Sequence, residues 1–155
     1  MCGIRHVFET PLGSMTAVEK GGALAALSFG GTPEGNEAPT PLLAETERQL
    51  AEYFSGERHA FSLPLAPEGT AFQRRVWAAL LEIPYGETLS YGEVARRVGN
   101  PKAARAVGMA NNRNPIAIVI PCHRVVGADG SLTGYAGGLA AKERLLALEQ
   151  ARRKM

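Results

Sequence analysis

The chain has 155 residues, 45% hydrophobic and 21% charged, enough to bury a core in one domain or two small ones. No apolar run reaches the roughly 20 residues that cross a bilayer, and the start MCGIRHVFET lacks the apolar stretch of a secretory leader. The net charge of +2 hides an uneven split: residues 1–69 hold four Lys/Arg against nine Glu (−5), and residues 70–155 hold thirteen basic against six acidic (+7). That asymmetry suggests two units, 1–66 and 67–155, the second facing either a polyanion or ordinary solvent. Two cysteines, Cys2 and Cys122, make neither a disulfide framework nor a four-ligand zinc site, so a reducing, cytoplasmic setting is expected.

In chain order, Ile4–Thr10, Met15–Glu19 and Ala23–Phe29 are separated by Pro/Gly turns and predict a β-meander. Gly30–Pro41 predicts a loop. Leu43, Leu50 and Phe54 then place an amphipathic helix over Pro41–Phe54, stopped by Ser55-Gly56. Phe61, Leu63 and Leu65 alternate as a strand would, and Pro64, Pro67 and Gly69 mark a linker. His6 and His59 have no chemical neighbour in sequence and are expected at the surface.

The basic part opens on a capping box, Thr70 with Gln73, followed by the stripe Phe72, Val76, Leu80, Ile83. A second box, Ser90 with Glu93, starts a helix that ends near Gly99. Asn100 is expected to cap the next helix, with Pro101 at its first position, running to a break at Asn114-Pro115. Two short helices with a tight turn form a helix-turn-helix candidate or a hairpin that binds nothing. The second helix is clothed almost wholly in Ala and Gly, which lets it approach a DNA backbone or a widened minor groove, or else pack closely on its neighbour. Arg105 is its one long mid-helix side chain: a probe in the first case, a solvated residue in the second.

Ile116 to Ile120 is apolar and rich in β-branched residues, and predicts a buried strand that delivers Pro121, Cys122, His123 and Arg124 at its end. In an extended segment Cys122 and His123 point to opposite faces, so a bridging water links them more easily than a direct bond. Gly127–Gly138 predicts a glycine-rich hairpin or loop, and Leu139–Ala151 the last helix. There Glu149 shares the stripe of Leu145 and Leu146; it either leans out to solvent or orients a histidine in the core.

The stretches GTAFQRRVW (69–77), IPYGETLSYGEVA (83–95), NPKAARAVGMA (100–110), IPCHRVVG (120–127), TGYAGG (133–138) and KERLLALE (142–149) closely resemble the methylated-DNA–protein-cysteine methyltransferases, the O6-alkylguanine-DNA alkyltransferase family. With TPLG at 10–13, the resemblance covers essentially the whole chain. It implies an α/β (α+β) protein: an N-terminal ribonuclease H-like domain of β-meander plus helix, and a C-terminal helical, winged-helix-like domain with a helix-turn-helix. Arg144 departs from the pattern, standing where many members carry Trp.

The resemblance implies roles as well. Cys122 would accept the alkyl group, His123 would act through water as its base, and Glu149 would orient His123. Tyr91 would hydrogen-bond the base, and Asn114 would hold the turn carrying the thiol. Arg105 would fill the gap left by the extruded nucleotide, with Ala104 and Gly108 on the DNA face. Val125, Tyr135 and Ala136 would line the base pocket. The implied partner is double-stranded DNA carrying O6-alkylguanine; no membrane, metal or cofactor is expected, and the protein is expected to be monomeric, with cooperative loading on DNA an alternative. Chemistry supports these roles independently: a free cysteine is mostly protonated at neutral pH, the thiolate is the nucleophile, and a base stacked in a duplex must be flipped out to be reached. Two rivals are a non-catalytic alkyltransferase-like lesion sensor, which would lack the cysteine, and a cysteine hydrolase, which leaves the helix pair and Arg105 without a task.

Overall fold

A computed structural model describes residues 3–32 and 38–152. The chain packs as two compact units: one of residues up to Glu68 together with Pro115–Ala117, the other of Gly69–Asn114 and the chain from Ile118 on.

In the first unit β1 (Ile4–Thr10), β2 (Gly13–Lys20) and β3 (Ala23–Phe29) form an antiparallel meander in the order β1-β2-β3, with a register shift at Val18/Glu19. Helix α1 (Pro41–Ser55) packs on it. Thr40 caps α1 by accepting from the Leu43 amide, Pro41 occupies the first turn where its missing N–H is harmless, and Gly56 ends the helix at φ 86, a left-handed conformation that suits glycine. Met15, Leu24, Leu43, Leu50 and Tyr53 are fully enclosed in this core.

Two expectations for this unit fail. The 61–65 alternation yields no strand: Leu65 makes a single parallel bridge to Leu24, although the exposure alternates as drawn. His6 is buried rather than superficial, stacked on Phe8 and bonded to Glu47 at 2.6 Å. The expected 30–41 loop lies partly outside the described residues.

The second unit holds α2 (Ala71–Leu80), α3 (Tyr91–Arg97), α4 (Ala104–Asn112) and α5 (Leu139–Arg152), with two short strands, β4 (Leu89–Ser90) and β5 (Val125–Val126), paired in parallel. Both capping boxes form, because each needs only residues three apart. Helices α2, α3 and α4 pack together around Val76, Trp77, Val94 and Val107, and the Trp77 indole donates to the Ala110 carbonyl at 2.9 Å. Burial of each large apolar side chain here stabilises the fold by about 2 kcal/mol. Asn100 does not cap α4. Pro101 and Lys102 form a turn closed by the Ala103 amide on the Asn100 carbonyl, and α4 begins at Ala104 without a side-chain cap.

The largest correction concerns residues 116–120, which are buried but not a strand. Ile116 alone pairs, with Leu27, and Ile118 then takes φ 70, which an extended chain cannot hold. Burial, not β-structure, explains the run of apolar residues. Arg144 lies on the exposed face of α5, where arginine in place of tryptophan removes nothing from the core.

Candidate active site

Pro121 stands at φ −80 and ψ 64, the centre of an inverse γ-turn closed by the Cys122 amide on the Ile120 carbonyl at 2.7 Å. The chain then winds through one 3-10 turn, Cys122–Arg124, before β5. The expected extended presentation of Cys122 and His123 is thereby replaced by a bend. Asn114, just before the chain enters the buried run, donates to Ile120 O at 2.8 Å and hydrogen-bonds the Cys122 side chain, so it holds both ends of the γ-turn.

His123 and Glu149 are fully buried, with His123 Nε2 2.7 Å from Glu149 Oε2. Glu149 comes from α5, where it shares a face with Leu145 as the stripe required. Its carboxylate also receives the Gly86 amide at 3.2 Å and the Arg124 guanidinium at 2.8 and 3.0 Å. Arg124 also donates through Nη1 to the Ile83 carbonyl at 2.6 Å and lies over the Tyr85 ring. The arginine of the PCHR stretch is therefore structural to the Glu149 site, a partner that sequence reasoning did not assign.

Burial works to raise the Glu149 pKa, but the hydrogen bond and charge of His123 and then those of Arg124 outweigh it and hold the carboxyl at about 2. Glu149 is thus an acceptor only. It follows that Nε2 of His123 carries the hydrogen and Nδ1 is the bare, basic nitrogen. Burial pushes the His123 pKa down against the pull of Glu149, and burial pushes the Cys122 thiol up against a hydrogen bond with Asn114 and the Lys142 charge. The resting pair is therefore neutral imidazole and neutral thiol.

Lys142 is a second residue that sequence reasoning missed. It is fully buried, and its ammonium donates to the Val125 carbonyl at 2.6 Å and the Thr133 carbonyl at 2.9 Å. Residues 142, 145 and 149 lie on one helical face, so the stripe that singled out Glu149 carried the signal for Lys142 too. The lysine ties the middle of the 127–138 loop to strand β5. Thr133 in turn meets the Tyr91 hydroxyl at 2.5 Å, tying the loop to the first residue of α3. Lys142→Met is expected to leave those two carbonyls without donors, lowering stability by about 2–4 kcal/mol and raising amide hydrogen exchange around 127–134. Unchanged melting together with unchanged exchange would contradict the latch.

The other expected site residues fall as follows. Val125 is fully buried next to the turn, Tyr135 is half-buried with its hydroxyl enclosed and Ala136 is exposed. Arg105 is exposed on α4, with Arg96, Arg97, Lys102 and Arg113 exposed on and around the helix pair. Ala104 is half-exposed. Gly108 faces Tyr91, where a Cβ would sit 3.7 Å from the ring, an ordinary contact, so its small size is not forced by that packing.

Residues 71–151 match the model of the 6-O-methylguanine DNA methyltransferase DNA-binding domain, and residues 4–67 that of the ribonuclease-like domain of the same proteins. Fold and site therefore define a two-unit α/β DNA-binding protein with a buried thiol in its helical unit. The chain is 53% identical over 149 residues to the methylated-DNA–protein-cysteine methyltransferase of Methanosarcina acetivorans, covering 92% of this chain and 96% of that one. It is 50% identical over 138 residues to the constitutive enzyme of that name from Bacillus subtilis, covering 83% and 84%. The crystal structure of Mycobacterium tuberculosis OGT in complex with DNA superposes with a TM-score of 0.87 at 47% identity, covering 96% of this chain and 93% of that one. The chain belongs to the 6-O-methylguanine DNA methyltransferase family, as the sequence resemblance implied. Among the described residues no helix is long and apolar enough to cross a membrane.

Proposed function

We propose that the protein repairs DNA by direct reversal, moving the alkyl group of O6-alkylguanine, and by the same chemistry of O4-alkylthymine, irreversibly onto Cys122. The observation that carries this is the turn bearing Cys122, set beside the buried His123–Glu149 pair in a unit that matches a DNA-binding domain. Residues from about 67 onward grip double-stranded DNA and carry the acceptor.

Arg105 fills the stack when the lesion is flipped out, and the small residues around it, Ala104 and Gly108, let α4 come close to the backbone. The flipped base sits among Val125, Tyr135 and Ala136, with the Tyr91 hydroxyl exchanging its Thr133 partner for the base. His123 takes the Cys122 proton through a water, and Glu149 holds the resulting imidazolium. The sulfur then attacks the alkyl carbon in line as the carbon–O6 bond breaks, and Tyr91 helps neutralise the departing guanine. A neutral thiol buried at rest and ionised only for the reaction avoids the cost of a standing buried charge. Asn114 keeps the thiol in place throughout.

The product is a thioether, and the site as described offers no group that would remove it, so each chain acts once. The chemistry needs no metal or cofactor. The protein works as a monomer in the cytoplasm. With lesion duplex in excess, the expected result is repair that stops at one lesion per chain; continued turnover would contradict the acceptor role.

A further inference from the structure

Asn111 lies in the last turn of α4 and is almost fully buried. Asparagine is a poor helix former, so nothing in α4 itself calls for it there. Its side-chain amide reaches Cys122 O at 3.3 Å, three residues before Asn114 reaches Ile120 O. A carbonyl oxygen only accepts, so the NH2 end of Asn111 faces the Cys122 carbonyl and its own oxygen is left to accept. That oxygen is buried and has no partner among the described residues. His123 Nδ1 is the second such atom, and with Nε2–H committed to Glu149 it too is an acceptor. Both residues meet the Cys122 peptide, one through space and one through the chain. Two acceptors cannot satisfy each other, and water can supply the hydrogens that both need.

We propose that Asn111 is a positioning residue for the acceptor, clamping the Cys122 carbonyl with its amide nitrogen and holding with its oxygen the water that carries the thiol proton to His123. The proposal rests on the reading of Cys122 as acceptor and His123 as its base. The relay balances: the S–H proton passes to the water as the water gives one hydrogen to Nδ1, leaving a thiolate, a water and an imidazolium against the Glu149 carboxylate. The second hydrogen of the water stays on Asn111 throughout, which fixes the direction of the first.

The charged and titratable groups around the thiol are Lys142 and Glu149 from α5, Tyr135 from the glycine-rich loop, and His123 and Arg124 from the turn itself. The test is the pH dependence of Cys122 reacting with iodoacetamide and with the free base O6-benzylguanine, in Asn111→Leu and Asn111→Ala. The expected result is a profile shifted upward by about one pH unit, with rates about tenfold lower at neutral pH that converge on wild type in alkali. Binding to undamaged duplex is expected to be unchanged. An unshifted profile, or an equal loss at every pH, would overturn the proposal, and the alanine variant decides if the leucine variant does not fold. Wild type that takes no methyl from O6-methylguanine duplex would sink the underlying reading. Wild type that does so, with unshifted Asn111 variants, would sink this inference alone.

Discussion

Glu149→Gln is expected to lower stability by about 3–5 kcal/mol and to slow Cys122 alkylation at neutral pH by roughly a hundredfold or more. The stability loss follows from Arg124, which would be left as a buried cation facing a neutral amide, with two of its donors aimed at it. The rate loss follows from His123: without a carboxylate at 2.7 Å there is nothing to hold the imidazolium that the relay creates. For a chain of this size the first effect lowers the melting temperature by roughly 10 °C. The same carboxylate and its histidine set the acid response of the wild type. Both titrate below their ordinary values in the folded state, so the unfolded chain binds more protons and stability falls as pH falls. The His123 contribution is full above about pH 6.5 and fades below it, and the Glu149 contribution is lost between about pH 4.5 and 2. Melting temperature followed against pH checks both, with the Glu149→Gln variant expected to lose the lower step. A thiol pH profile identical to wild type would remove Glu149 from the relay.

Arg105→Ala is expected to slow repair of O6-methylguanine in duplex DNA by roughly tenfold to a hundredfold while leaving reaction with free O6-benzylguanine unchanged. Flipping a nucleotide costs a few kcal/mol, and every 1.4 kcal/mol no longer offset is a factor of ten. The free base needs no flipping, so the comparison isolates the step. Arg105 is exposed, so its truncation leaves the core intact. Equal losses on both substrates would refute the finger role.

What the sequence made legible, and what it hid, divides by the range of the interaction. The capping boxes at Thr70/Gln73 and Ser90/Glu93 were readable because each is complete within four residues, and the meander because its turns carry Pro and Gly. Asn100 followed by Pro101 satisfied the same rule and failed, since the turn through Lys102 used the local geometry first. The apolar run at 116–120 signalled burial correctly and conformation wrongly; a left-handed Ile118 has no signature in residue type. Glu149 was found because a carboxylate on an apolar stripe is conspicuous. Lys142 sat on that stripe unremarked, and its partners, two main-chain carbonyls, leave no trace in sequence. Arg124 and Asn111 act on groups 25 and 11 residues away, and only the folded chain shows whom they meet.

The destination of the alkyl group decides the function of Cys122. Mixing the protein with a duplex containing one O6-methylguanine, then recording the intact mass and mapping the peptides, gives the direct answer. One added methyl per chain, located on Cys122 and absent in Cys122→Ala, is the predicted result. A lesion that disappears while the mass of the protein stays unchanged, or a methyl group found on any other residue, would contradict it.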